Sequence, residues 1–430
     1  MVHVSPRDDP GDRPRSGPSP AVAAGVVLAL LAVAAAYVLL AALTAVIPGS
    51  ALLGPAMSPV VVTVWGPLLV VLGLVTAVVA WLLRRAHRRL AAAATAVTAV
   101  AALGTLALAG AVGAVVVATL DAGGTVDPLR AVALTDAQGG APDERPVYLT
   151  TPEGQDLHLA VTRPRGTTNG GTTDGAQRDA TAAVEGPAPV FVWVHGGGWA
   201  TGSELDRAAD LRRLADAGWL TVSVEYTLSR PGRPTWDVAA PQVACALARV
   251  AEHAGEYGGD AGRLVLAGDS AGGQLATTVA YRAAAGTQPS ACPTRVPVPV
   301  TRAVATLYPA VDLADTYRRG DGAQSFAVAY TGGTPEQVPE RYRAVSGVDA
   351  ITPAAPPTLA VVPARDQLVP PAGAERFVDA ARAAGVDVER VEVPFADHAF
   401  DVGPAGSLGH QAAVSVIERW AGEQVGRHPG

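Results

Sequence analysis

Three long apolar stretches near the N-terminus, Ala21–Ile47, Val60–Leu83 and Leu90–Leu120, carry no charged residue. Each exceeds the roughly 20 residues an α-helix needs to cross a hydrocarbon core of about 30 Å. In lipid the backbone must satisfy its own hydrogen bonds, which for an open chain means a helix. The three stretches therefore read as membrane spans. None has the polar face of a helix in a soluble bundle. The first is also too long for the apolar core of a secretory signal, about 7–15 residues. Residues 1–20 mix Pro, Gly and Arg and read as a disordered tail.

Arginine placement orients these spans. Arg84, Arg85, Arg88 and Arg89 crowd the connection between the second and third, whereas Pro48–Pro59, between the first and second, is uncharged. The positive-inside rule puts the tail and the Arg-rich connection in the cytoplasm and everything beyond Leu120 outside. After a linker over residues 121–145 the composition changes to that of a soluble domain, residues 146–430. The chain contains no lysine, and its net charge of −7 argues against a nucleic-acid partner.

In this second part short β-branched runs alternate with helical spacing. Strands are expected at Val147–Thr151, His158–Arg163, Val190–Val194, Trp219–Tyr226, Arg263–Ala267, Ala303–Tyr308, Thr358–Val362 and Val388–Val393. Helices are expected at Asp237–His253, Ala271–Arg282, Ala372–Ala384 and Gly406–Val425. Gly166–Gly186 reads as a disordered surface insertion. Buried strands alternating with helices indicate an α/β class: a mostly parallel sheet with helices on both faces, preceded by the three transmembrane helices. Ligands of such sheets bind beyond the carboxyl ends of the strands, so the chemistry is sought there.

Directly after the strand Arg263–Ala267 stands Gly268-Asp269-Ser270-Ala271-Gly272-Gly273. It fits G-x-S-x-G, a turn tight enough to need small residues around a serine presented at a helix start. Backbone N–H groups and the helix dipole favour negative charge there. After Val190–Val194 comes His195-Gly196-Gly197-Gly198-Trp199. Its glycines let backbone N–H groups turn into a site as an oxyanion hole, together with the N–H of Ala271. No Gly-Lys-Ser/Thr follows, which excludes a P-loop, and His195 is expected to bond within its own loop.

A serine nucleophile needs a base. His398, just after Val388–Val393, occupies the required loop position, whereas His410, the runner-up, falls inside the last helical pattern. Asp366, after Thr358–Val362, completes the order Ser, Asp, His. Asp312 is the alternative acid, and Asp397 is too close in sequence to bond its neighbour's ring. In this scheme His398 takes the proton of Ser270 while Asp366 fixes the tautomer and stabilises the imidazolium.

These motifs, with Val224-Glu225-Tyr226-Thr227-Leu228-Ser229, resemble the hormone-sensitive-lipase-like branch of the α/β-hydrolases. The resemblance runs from about Pro189 to the end and does not include the membrane spans. It implies Ser270, Asp366 and His398 as a triad, Gly196, Gly197 and Ala271 as oxyanion donors, and no metal or cofactor. Pro363 and Ala364 stand where the family usually has a glycine before the acid. The expected activity is hydrolysis of small-molecule or lipid carboxylic esters by a membrane-anchored enzyme. Acyl transfer to cell-envelope glycans or lipids, an amidase or peptidase, and a non-catalytic ligand sensor are the alternatives. The two cysteines, Cys245 and Cys292, lack zinc-ligand spacing and read either as one disulfide or as two separate thiols.

Overall fold

A computed structural model describes residues 20–47, 60–135, 140–165 and 186–427. The readings of the N-terminal tail, the loop Pro48–Pro59 and the Gly-rich insertion lie outside the described residues, apart from their last residues Pro20 and Gly186.

Among the described residues, three long helices come first: α1 (Pro20–Val46), α2 (Gly66–Ala86) and α3 (Ala91–Asp121). All three are long and apolar enough to cross a membrane. Small residues let them pack closely: a β-carbon on Gly104 would stand 3.0 Å from the Leu39 backbone. Threonine hydroxyls inside them are satisfied locally, as where Thr76 donates to the Leu72 carbonyl at 2.8 Å and Thr105 to Ala101 at 2.7 Å. Their outward residues stay bare, with Leu30 67% and Leu106 72% exposed. Water is a poor solvent for such a surface and lipid a good one.

A short helix, α4 (Pro128–Ala133), is N-capped by Asp127, whose carboxylate accepts from Leu129 N at 2.9 Å. The α/β part follows as β1 (Val147–Thr150), β2 (Asp156–Thr162), β3 (Ala188–Val194), α5 (Ala208–Asp216), β4 (Leu220–Val224), α6 (Ala239–His253), β5 (Gly259–Asp269) and α7 (Ser270–Ala284). Then come β6 (Ala303–Leu307), α8 (Leu313–Arg319), α9 (Ala323–Thr331), α10 (Pro339–Val345), β7 (Thr358–Pro363), α11 (Pro371–Ala383), β8 (Val388–Val393) and α12 (Leu408–Gln424). The eight strands order as β1-β2-β4-β3-β5-β6-β7-β8. The pairs β1–β2 and β2–β4 are antiparallel, and all others are parallel.

Every expected strand is present, with ends shifted by up to four residues. Alternate residues of β3 face opposite layers. Val190, Val192 and Val194 pack with residues of α6 and α7, whereas Phe191 and Trp193 pack with residues of α5 and α12. That two-sided burial explains why the strands read as continuous apolar runs. The short helices α5, α8, α9 and α10 were not expected. Each has nine residues or fewer, too short for periodicity to stand out from background.

The apolar helices dock on the α/β part at one end. The carbonyl of Ala45, near the end of α1, accepts from the Arg365 guanidinium. Thr63 O, just before α2, accepts from Gly409 N at 2.8 Å. Beyond α3, Thr125 N donates to Ser415 Oγ at 2.9 Å and Asp127 N to Gln411 Oε1 at 2.6 Å. The Arg84–Arg89 cluster belongs to the other end of α2 and α3. Cys245 of α6 and Cys292, after α7, are joined in a disulfide with Cα atoms 5.0 Å apart.

Candidate active site

Ser270 sits where β5 turns into α7, with φ +50°. A non-glycine residue pays about 1–3 kcal/mol for such a conformation, and it persists only where its surroundings demand it. The flanking glycines show that demand. A β-carbon on Gly272 would run into the Val194 carbonyl oxygen, and one on Gly268 would lie 2.6 Å from the Gly272 backbone. The turn is thus pressed between β3 and its own helix, and the serine hydroxyl stands at the helix N-terminus.

His398 Nε2 lies 3.0 Å from Ser270 Oγ, and His398 Nδ1 lies 2.8 Å from Asp366 Oδ2. The second oxygen, Asp366 Oδ1, accepts from Val369 N at 2.7 Å. All three groups are largely buried. Burial pulls the His398 pKa down, but the Asp366 carboxylate and its hydrogen bond more than offset this, so the net shift is upward from 6.5. The Tyr308 ring and the imidazole pack in an edge-type arrangement with centroids 4.6 Å apart.

The other candidates have different tasks. Asp312 caps α8, accepting from Asp315 N at 3.0 Å, and pairs with Arg376 at 2.8 Å. His410 pairs with Asp210 at 2.9 Å. Asp397 does not reach the ring beside it. Its carboxylate instead accepts from His398 N at 2.7 Å and Gln367 N at 2.9 Å, which ties the loop carrying Asp366 to the loop carrying His398. Sequence reasoning missed this role because the two loops are 30 residues apart.

The glycine loop brings one correction. The N–H of Gly196 donates to Asp269 Oδ1 at 2.9 Å, so it is committed to holding the loop rather than open to an oxyanion. Gly197 and Gly198, with φ +99° and +59°, line the same cavity as Ser270, whereas Gly196 does not. His195 does bond within its loop, its Nδ1 2.9 Å from Gly196 O, and its ring stacks on Tyr226 at 4.3 Å. Trp199 anchors the far end, donating through Nε1 to Gln274 at 2.9 Å and stacking on Tyr330 at 4.4 Å.

Two cavities meet at this loop. One, of about 280 Å³, holds Ser270 and His398 and is walled largely by apolar residues such as Leu313, Phe326, Leu368, Val369 and Val402. The other, of about 420 Å³, is lined by several charged or titratable residues, Asp206, Arg207, Asp210, Asp401 and His410. Arg207 is its hub, 2.6 Å from Asp401 and 3.7 Å from Asp269. Burial lowers the Arg207 pKa, but Asp401, Tyr308 and the other acidic neighbours outweigh it and hold the guanidinium charged. No cluster of three or more potential metal ligands occurs among the described residues.

Comparison with known proteins gives a consistent result. The family model BD-FAE matches residues 180–380. A probable carboxylic ester hydrolase of Mycobacterium tuberculosis, LipM, is 32% identical over 57% of this chain and 58% of its own length. Esterase LipC of the same organism is 31% identical over 54% of this chain and 58% of its own. The chain thus spans a little under three fifths of these curated relatives. Among solved structures, esterase 2 of Thermogutta terrifontis matches 69% of this chain and 98% of its own, with TM-score 0.53 and 23% identity. The fold is that of the α/β-hydrolases.

Proposed function

We propose that this chain is a membrane-anchored serine hydrolase that cleaves carboxylic esters through an acyl-enzyme. One observation carries the reading: the unbroken hydrogen-bond chain Ser270–His398–Asp366 opening on an apolar cavity. His398 takes the Ser270 proton as Oγ attacks the ester carbonyl, and Asp366 keeps Nδ1 protonated and stabilises the imidazolium. The tetrahedral oxyanion is received by the N–H groups of Gly197, Gly198 and Ala271 at the start of α7. His398 then protonates the leaving alcohol, and water repeats the sequence to release the acid. The esterase names of the similar proteins support this reading.

The three apolar helices hold the enzyme in the membrane, with the Arg-rich connection in the cytoplasm and the hydrolase domain outside. The Cys245–Cys292 disulfide supports that side, since disulfides persist in oxidising compartments. A fluorophosphonate probe tests the chemistry: it labels the intact protein and fails to label Ser270→Ala. Equal labelling of the variant refutes the assignment. A C-terminal reporter active only outside the cytoplasm tests the topology, and silence there refutes it.

A further inference from the structure

The end of the helical bundle that docks on the α/β part docks on the loops of the candidate site. Ala45, the penultimate residue of α1, is held by Arg365, the direct neighbour of Asp366. Thr63 holds Gly409, at the start of α12. A methyl group of Val64 lies 3.3 Å from where a β-carbon on Gly403 would stand. Gly403 belongs to the segment that follows His398 and forms a wall of the larger cavity, while Val402 beside it borders both cavities. The residues at the end of the apolar spans therefore touch the same segment that bounds the site.

The rim fits an interfacial position. Val402 is 57% and Phe326 37% exposed at the apolar cavity, and Trp65, one residue before α2, is 37% exposed. Exposed apolar side chains on the rim of the site, with Val402 next to the Gly403 that Val64 approaches and a tryptophan at the start of α2, suit the headgroup level of a bilayer. The division of the site also suits an amphiphile. Gly197, Asp269 and Val402 line both cavities, so an ester at Ser270 has an apolar compartment on one side and a charged one on the other.

Building on the proposed esterase activity, we propose that the substrate is an amphiphilic ester of the leaflet in which the enzyme is anchored. Its acyl chain enters the apolar cavity and its polar, uncharged or cationic head occupies the Arg207–Asp210–His410 cavity. The test uses the full chain reconstituted in vesicles of non-hydrolysable diether phosphatidylcholine. The probe is monogalactosyl dioleoylglycerol, whose two chains keep it in its own bilayer. Released oleate is measured with probe and enzyme in the same vesicles and with probe in separate vesicles, alongside hydrolysis of soluble p-nitrophenyl butyrate. The expected result is release in the shared vesicles, falling about tenfold on tenfold dilution of the probe within the bilayer at constant bulk concentration, and at least tenfold slower release from separate vesicles. Butyrate hydrolysis with no oleate release, or equal release from shared and separate vesicles, overturns the leaflet proposal alone. Loss of butyrate hydrolysis and of fluorophosphonate labelling together overturns the esterase reading, and the leaflet proposal with it.

Discussion

Replacing Asp366 with Asn tests the site most sharply, because the structure dictates how the new side chain must sit. Asp366 Oδ1 accepts the Val369 N–H at 2.7 Å in a buried setting. Turning an NH2 group toward that N–H would leave a buried donor unsatisfied, at about 1–3 kcal/mol. The amide oxygen therefore faces Val369, and the NH2 faces His398 Nδ1. Nδ1 must then accept, so the imidazole proton moves to Nε2, where it points at the Ser270 hydroxyl it should be receiving from. The variant also loses the carboxylate that stabilises the imidazolium from 2.8 Å. Two charges centred about 4 Å apart are worth about 4 kcal/mol at an effective dielectric constant of 20. Together the two effects raise the barrier by about 5–7 kcal/mol, a fall in kcat of about 10⁴–10⁵ at 1.36 kcal/mol per decade.

The assay is steady-state hydrolysis of p-nitrophenyl butyrate across pH, with fluorophosphonate labelling as a second readout. In the unaltered protein the acid limb of kcat/KM lies above 6.5, because the active form needs neutral His398 and its pKa is raised. In Asp366→Asn the residual activity has its acid limb at lower pH, since the carboxylate that raised the pKa is gone. A loss smaller than about tenfold would refute the tautomer argument. An acid limb that stays in place would refute the claim that the Asp366 carboxylate raises the His398 pKa.

Asp269→Ala strips the Gly196 N–H of its acceptor and frees the glycine loop. We expect kcat to fall by up to about 100-fold, toward the cost of a lost oxyanion donor, with KM little changed; an unchanged kcat would show that the loop holds itself. Gly272→Ala brings a methyl group against the Val194 carbonyl, so little folded, probe-reactive protein should be recovered, and normal yield with normal labelling would count against the elbow geometry. Replacing Cys245 and Cys292 by Ser opens a disulfide spanning 47 residues. Loop entropy makes that crosslink worth about 4 kcal/mol. At roughly 2–4 °C per kcal/mol for a domain of this size, Tm should drop by about 8–16 °C, and a shift within 2 °C would contradict the estimate.

How much was legible in the sequence follows from the range of the interactions involved. The three apolar helices were legible because each lies in an unbroken run of more than 20 uncharged residues, a signal that local sequence carries by itself. The strands were legible because burial on both faces makes each a short apolar block. Ser270 and the glycines around it were legible because a tight turn between strand and helix writes its steric demands into adjacent residues. Asp366 and His398 were reached by position alone, each at the end of a strand. Gly196 was misassigned because its partner, Asp269, lies 73 residues away, and nothing local says which of three glycine N–H groups will be occupied. Asp397 was set aside on a correct local argument about ring geometry, yet its contacts run to a different loop.

The sequence by itself thus determined an apolar three-helix segment, an α/β sheet, and a serine on a turn fit for nucleophilic attack, since each depends on residues close together in the chain. Only the tertiary structure decided which glycine N–H of the loop is bonded to Asp269, that the two cysteines meet, and that the ends of the apolar helices rest on the loops of Asp366 and His398. Those outcomes depend on where separate strands deliver their ends in space, and side chains far apart in sequence carry no local mark of the partner they will meet.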